Sequence, residues 1–267
     1  MNKSELLEFL DEMWMDYLLL NPEAHQIHQL FSERNPEVVN DHIALRTFDL
    51  PAVNLQRIAQ PFINAGYQCG GEYHFPVKNL YAQHFQHDDP ELPKVFISQL
   101  LTKSLNEENL DLVNDLISHI DINSLKSPGF CYSGRHWPLS YNQYKQLLQQ
   151  SEYAAWVAAF GFRPNHFTIL VNRLSSHKSI EEVNQFLQEQ GFELNDAGGL
   201  VKGGPDEYLA QSSTRANKVQ VSFSDQSAEI PSCYYEFALR YPLADGHLYQ
   251  GFVAASADKI FESTDTR

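Results

Sequence analysis

Apolar residues in the first twenty positions recur at helical intervals, with Leu6, Leu7 and Leu10 followed by Trp14, Tyr17 and Leu18 behind Ser4 as a cap. The spacing predicts an amphipathic packing helix over 4–20 and a second short helix over 22–33, which Asn35-Pro36 stops. Next comes D-H-I-A-L-R-T-F, 41–48, where a strand period of two puts His42, Ala44 and Arg46 on one face and Ile43, Leu45 and Thr47 on the other. A helix would also bring residues four apart together, so this stretch alone does not choose. Pro51 then opens a helix through L-Q-R-I-A-Q-P-F-I-N-A-G that closes at Gly66, with Tyr67 just beyond. Two strand-like runs follow, 79–85 and 94–100, separated by the turn-rich H-D-D-P.

The pattern then recurs. P-N-H-F-T-I-L-V-N, 164–172, again opens an apolar run with a histidine, and His166 follows His42 by 124 residues. A helix, S-I-E-E-V-N-Q-F-L-Q-E-Q, closes at Gly191 with Phe192 beyond. Val77-Lys78 pairs with Val201-Lys202, Y-A-Q with Y-L-A-Q, and V-F-I-S at 95–98 with V-Q-V-S at 219–222. F-T-I-L-V is rich in aromatic and β-branched residues, which favours strand for 166–171 and, through the repeat, for 42–47.

Each half therefore reads strand, helix, strand, strand, and such a unit cannot bury its sheet face alone. The expected fold is α+β, with two pseudo-repeated strand–helix–strand–strand modules forming one curved, mainly antiparallel sheet around a concave site. Leu110, Val113, Leu116 and Ile117, and later Tyr144, Leu147 and Leu148, lie at helical spacing. We expect a single domain: N-terminal helices over about 1–38, module one over 40–102, a helical insertion over 103–160, and module two with a C-terminal segment over 161–267.

With 43% hydrophobic residues, the chain can bury a substantial core. The formal net charge of −15 argues against nucleic acid or an anionic membrane as partner, so an anionic ligand must be met by a few placed arginines. Cys69, Cys131 and Cys233, without CxxC spacing, read as unpaired thiols in a reducing compartment. Acidic residues interrupt the N-terminal apolar stretch, so neither a secretory signal nor a membrane span is expected, and a cytoplasmic location is the default. Oligomeric state is not legible.

Two equivalent first-strand histidines point to a metal, which needs a further ligand. In C-Y-Y-E-F-A-L-R-Y-P, 233–242, Glu236 lies within an apolar strand, on one face with Ala238 and Arg240. A carboxylate there is costly unless paired or coordinated. His42, His166 and Glu236 form a two-histidine, one-carboxylate set suited to non-haem Fe(II). Glu236 also reads as an ion-pair partner of Arg240, and Arg46 as the partner of an acid. His84 has Ser212 as its repeat counterpart, so symmetry does not place it in the set. His74, His87, His136 and His247 read as surface or packing histidines. The glycines of D-A-G-G-L-V-K-G-G-P, 196–205, fit a hairpin connection better than a phosphate loop, and neither a G-x-S-x-G elbow nor a cysteine–histidine pair supports nucleophilic hydrolysis.

Paired modules with this histidine, histidine and glutamate placement resemble the vicinal oxygen chelate superfamily. More closely, D-H-I-A-L-R-T-F, R-P-N-H-F-T and Y-Y-E-F-A-L-R resemble the 2-oxoadipate dioxygenase/decarboxylase (hydroxyglutarate synthase) family over most of 40–261, whose characterised members are considerably longer. The resemblance implies iron ligation by His42, His166 and Glu236, and recognition of a substrate's distal carboxylate by Arg46, with Arg240 as a second substrate-binding candidate or an ion-pair partner. It also implies conversion of 2-oxoadipate and O2 to 2-hydroxyglutarate and CO2, a step of lysine breakdown. The as-isolated metal is left open, since the affinity order also favours Zn or Ni. The alternatives are a non-redox metal-dependent isomerase, lyase or hydrolase on this scaffold, and a non-catalytic metal-binding protein.

Overall fold

A computed structural model describes residues 1–254, so the expected C-terminal segment lies outside the described residues beyond that point. Helix α1 (Lys3–Leu20) forms where helical spacing placed it, but its cap is Asn2 rather than Ser4. The Asn2 side chain accepts from the Glu5 N–H while the Glu5 carboxylate accepts from the Asn2 N–H, so two orphan donors are satisfied reciprocally. Helix α2 (Pro22–Ser32) follows, capped by Asn21.

The ambiguous 41–48 stretch is a strand, β1 (Asn40–Phe48). Helix α3 (Leu55–Asn64) begins later than Pro51 predicts, because Asn54 caps it by accepting from the Arg57 N–H. Residues 51–53 instead form a turn whose Val53 carbonyl accepts the Thr47 hydroxyl at 2.5 Å. Gly66, at φ +102, lets the Tyr67 N–H reach back to Phe62 O at 3.0 Å and ends the helix. Strand β2 (Gln68–Phe75) was not anticipated; Gly70 and Gly71 weaken its strand pattern and it lies at a half-exposed sheet edge. Strands β3 (Leu80–Gln86) and β4 (Lys94–Leu100) match the expected runs.

The insertion is helical, with α4 (Glu107–Ser118), α5 (Tyr141–Gln150) and α6 (Glu152–Phe160). The second half has β5 (Pro164–Leu170), α7 (Ile180–Glu189), β6 (Lys202–Gly204), β7 (Leu209–Ser213), β8 (Lys218–Ser222), β9 (Ser227–Pro231) and β10 (Tyr234–Arg240). The glycine-rich 196–205 stretch leads into β6, which turns back on β7 as an antiparallel hairpin.

One eight-stranded, strongly curled sheet has the order β2-β3-β4-β1-β5-β10-β7-β6. Its halves meet at the antiparallel β1–β5 pair, and each half places one strand parallel beside its first: β4 beside β1, and β10 beside β5. The other pairings in the sheet are antiparallel. The expected counterpart of β4, residues 219–222, is therefore not in this sheet; it pairs with β9 in a separate hairpin, and β10 takes the slot. Strand β8 alternates exposed Lys218, Gln220 and Ser222 with half-buried valines, so it has one apolar face, whereas almost all of Y-Y-E-F-A-L-R is buried.

Helices cover the outer face of the sheet. Trp14 and Tyr17 pack on Phe167 at 4.9 and 5.0 Å between ring centroids and also touch Tyr235, while Phe31 of α2 meets Phe237. Burying such aromatic clusters favours folding. Strand alternation then turns His42, His166 and Glu236 to the opposite face, inside the curl.

Candidate metal centre

Backbone irregularity shapes the site before any side chain does. Between β1 and β5 the register slips twice. Asn40 and His42 face adjacent residues Ile169 and Thr168, leaving Asp41 as the extra residue of a β-bulge; Ala44 and Leu45 face His166 and Pro164, leaving Asn165 as the extra residue on the other strand. Positions 41 and 165 obey the same 124-residue offset as the histidines. Each bulged residue lies against the histidine after it: Asp41 Oδ2 is 2.8 Å from His42 Nδ1, and Asn165 Oδ1 is 3.2 Å from His166 Nδ1.

These contacts define the tautomers. A carboxylate or amide oxygen can only accept, so each Nδ1 carries the hydrogen and each Nε2 presents a lone pair. Both Nε2 atoms face one carboxylate, at 3.6 Å from His42 Nε2 to Glu236 Oε1 and 3.2 Å from His166 Nε2 to Glu236 Oε2. All three residues are buried, and one ligand atom from each lies within 4.8 Å of the others. Among the described residues no other group of histidine, cysteine, aspartate or glutamate is so clustered.

Electrostatics agree with a cation-accepting site. Burial lowers the His42 pKa against the raising effect of Asp41, and burial, His42 and Arg46 hold His166 well below its ordinary range. Both rings are therefore neutral near pH 7, and the Asp41–His42 contact is a neutral N–H donating to a carboxylate rather than an ion pair. Burial pushes the Glu236 carboxyl up to about 8, although Gln211 donates to its Oε1. Two lone pairs and a carboxyl that is costly to ionise alone form a donor set that fits a divalent transition metal.

The two arginines part company. Arg240 donates from Nε and Nη2 to Asp41, at 2.5 and 2.8 Å, and from Nη1 to the carbonyls of Tyr249 and Gly251, both at 2.9 Å. Burial pushes the Asp41 carboxyl up, but the Arg240 charge holds it well below the usual carboxylate range. Arg240 is thus engaged in an ion pair, with Asp41 rather than Glu236. Arg46 lies on the His42 face near the start of α6. Its guanidinium is 5.1 Å from the ring centroids of both Tyr153 and Trp156, with Nη1 3.4 Å from Glu152 Oε1.

Phe252 closes the other end of the curl, lying 4.8 Å from the His42 ring, 5.2 Å from His84 and 5.0 Å from Phe96. His84 lines that end, bonded through Nδ1 to the Tyr73 hydroxyl at 2.9 Å, and stays outside the ligand cluster. His74, His87 and His136 pack on Tyr81, Tyr67 and Phe130 respectively, and His247 is exposed. The three cysteines are free, as expected, and no described helix is long and apolar enough to cross a membrane.

Sequence reasoning missed Asp41, Asn165, Gln211 and Phe252. The first two carried a signal, since D-H and N-H dipeptides stand at the repeat offset. Gln211 ends the Y-L-A-Q that the repeat had already matched. Phe252 has no internal counterpart.

A family model described as 2-oxoadipate dioxygenase/decarboxylase matches residues 4–124 and 131–246. The chain is 35% identical to the chloroplastic 2-oxoadipate dioxygenase/decarboxylase of Arabidopsis thaliana, over 96% of this chain and 76% of that protein. Among solved structures it resembles a Shewanella frigidimarina NCIMB 400 protein provisionally described as a hydrolase (50% identity, TM-score 0.90, 93% of this chain and 97% of that one). It is equally close in fold to the hydroxyglutarate synthase of Oryza sativa, solved in complex with 2-oxoadipate (33% identity, TM-score 0.91, 98% of this chain and 93% of that one). The converging histidines and glutamate thus sit in a chain matched along nearly its whole length, and the chain belongs to the 2-oxoadipate dioxygenase/decarboxylase family.

Proposed function

We propose that this protein is an Fe(II)-dependent dioxygenase/decarboxylase that converts 2-oxoadipate and O2 to 2-hydroxyglutarate and CO2. The observation that carries the reading is the meeting of His42 Nε2, His166 Nε2 and the Glu236 carboxylate inside the curl, on the face that also carries Arg46. The names of the Arabidopsis and rice relatives, and the 2-oxoadipate in the rice structure, support it.

In this reading His42, His166 and Glu236 hold the metal. Bound Fe(II) supplies the O2 and electron chemistry that side chains lack. Asp41 and Asn165 keep a hydrogen on each Nδ1 and so aim each Nε2 inward. Arg46 pairs with the distal carboxylate of the diacid, for which its planar fork is suited. Its two flanking rings fix the guanidinium before substrate arrives, which lowers the ordering cost of binding. Phe252 and Phe96 exclude water from the His42 side. Arg240, engaged with Asp41, is a positioning residue in this scheme and not a substrate contact.

The test is oxygen uptake by protein reconstituted anaerobically with Fe(II), then exposed to O2 with 2-oxoacids from pyruvate to 2-oxoadipate. Uptake confined to a dicarboxylic 2-oxoacid, with one CO2 released per O2 consumed, is the expected result. Bound iron without uptake on any 2-oxoacid would move the function to non-redox hydrolysis on the same metal site, the direction in which the provisional description of the Shewanella relative points. Zn(II)- and Ni(II)-loaded protein without O2 tests that second reading directly.

A further inference from the structure

Tyr234 is fully buried, yet its hydroxyl has no hydrogen-bond partner among the described residues. Two other buried tyrosines show the contrast. Tyr17 donates to Tyr234 O at 2.6 Å and accepts from Asn21 at 2.7 Å, and the Tyr153 hydroxyl meets Ser98 and the Thr47 N–H. Burying a phenol without a partner is unfavourable, and natural proteins rarely do so without a use for it.

Its position indicates the use. Register pairs Tyr234 with His166, and its ring stacks on the imidazole at 4.6 Å and 27°. Alternation along β10 puts it on the same face as Glu236. Trp156, whose ring centroid lies 5.1 Å from the Arg46 guanidinium, donates through Nε1 to Ser232 O two residues before Tyr234, so Arg46 and Tyr234 border the same end of the site. Burial pushes the Tyr234 pKa well above the ordinary value, Arg46 opposing this and Glu236 and Glu152 reinforcing it, so the hydroxyl remains a donor. Arg46 also acts on His166. A buried donor without an acceptor among the described residues, at the end of the site that carries Arg46, suits an anion. A carboxylate has four lone-pair positions, of which a bidentate guanidinium uses two.

We propose that the Tyr234 hydroxyl donates a hydrogen bond to the distal carboxylate of the bound 2-oxodicarboxylate, the one Arg46 pairs, and so sets the preference for a diacid over a monoacid. This rests on the 2-oxoadipate reading above. Tyr234 is then a substrate-specificity residue, and the stacked ring couples the diacid end of the site to the metal ligand His166.

The experiment is anaerobic calorimetric titration of the Fe(II)-loaded protein with 2-oxoadipate and with 2-oxohexanoate, which lacks the distal carboxylate. Without O2 there is no turnover, so binding is read directly. Tyr234→Phe removes one oxygen and keeps the stacked ring. It is expected to weaken 2-oxoadipate about tenfold, the order of one hydrogen bond to a charged group, leaving 2-oxohexanoate within about twofold and iron stoichiometry unchanged. In an Arg46→Gln background the same change should cost 2-oxoadipate less than about twofold, because the carboxylate is no longer held there. Equal weakening of both ligands, unchanged 2-oxoadipate affinity, or full additivity with Arg46→Gln would overturn the assignment. If wild-type protein itself binds both ligands alike, the diacid reading of Arg46 fails and this inference with it; if wild type prefers the diacid and Tyr234→Phe keeps that preference, only the role of Tyr234 falls.

Discussion

The surroundings of His42 and His166 are built from one backbone device and two different chemistries. Each histidine follows a bulged residue that bonds its Nδ1. In the first half that residue is Asp41, a carboxylate that requires a counter-ion, and Arg240 crosses the sheet to provide it while gripping the backbone at Tyr249 and Gly251. In the second half it is Asn165, neutral, with no ion pair behind it. His42 is thus tied into a network that reaches the C-terminal segment and Phe252, whereas His166 stacks on Tyr234 and feels the charge of Arg46. The comparison teaches that the bulge, a property of strand pairing, is common to both halves, while side-chain chemistry ties His42 into an ion-pair network and leaves His166 against the ring of Tyr234.

Five substitutions, in three steps, and a pH series would break or sharpen this contrast. The largest effect is expected at the ligands, where the halves are equal: His42→Ala and His166→Ala should each abolish stoichiometric metal, measured by elemental analysis after anaerobic loading and gel filtration, and retention by either would show that its half is dispensable. Next is Arg240→Ala, which leaves Asp41 buried without its partner and should destabilise the fold by about 3–5 kcal/mol. Denaturant unfolding of the metal-free protein reads this, and an unchanged midpoint would mean Asp41 finds other compensation.

Third, Asp41→Asn makes the first half resemble the second. It is expected to weaken metal affinity by about 10–100-fold, as loss of an outer carboxylate commonly does, while Asn165→Ala, which removes a weaker neutral acceptor at 3.2 Å, should cost less. Equal losses would refute the contrast between a charged and a neutral support for the two histidines. The smallest effect is on pH. With the Glu236 carboxyl at about 8 in the metal-free protein, it holds a proton at pH 7 that metal must displace. Both histidines are depressed below their ordinary value and have no proton to lose there. Metal affinity should therefore rise by up to about tenfold per pH unit from 6.5 toward 8 and flatten above it. Competition titrations across that range check the slope, and a flat profile would place the Glu236 pKa elsewhere.

Period and repeat, read along the chain, determined much. The two apolar periods marked α1, α2, β4 and the helical insertion, and the recurrence of a histidine before an apolar run identified both His42 and His166, because pseudo-symmetric halves place equivalent residues on a common axis. Glu236 was legible because a carboxylate within Y-Y-E-F-A-L-R has no cheap structural role. The tertiary structure decided the rest. Which strand lies beside β5 depended on burial of both faces, so β10 displaced the better sequence match at 219–222. Which acid Arg240 pairs with depended on a bulge that turns Asp41 inward, an effect of one extra residue between two strands 124 positions apart. That Tyr234 lacks a partner among the described residues while Tyr17 has two is a property of enclosed space, which follows from how the curled sheet closes and from no local pattern in the chain.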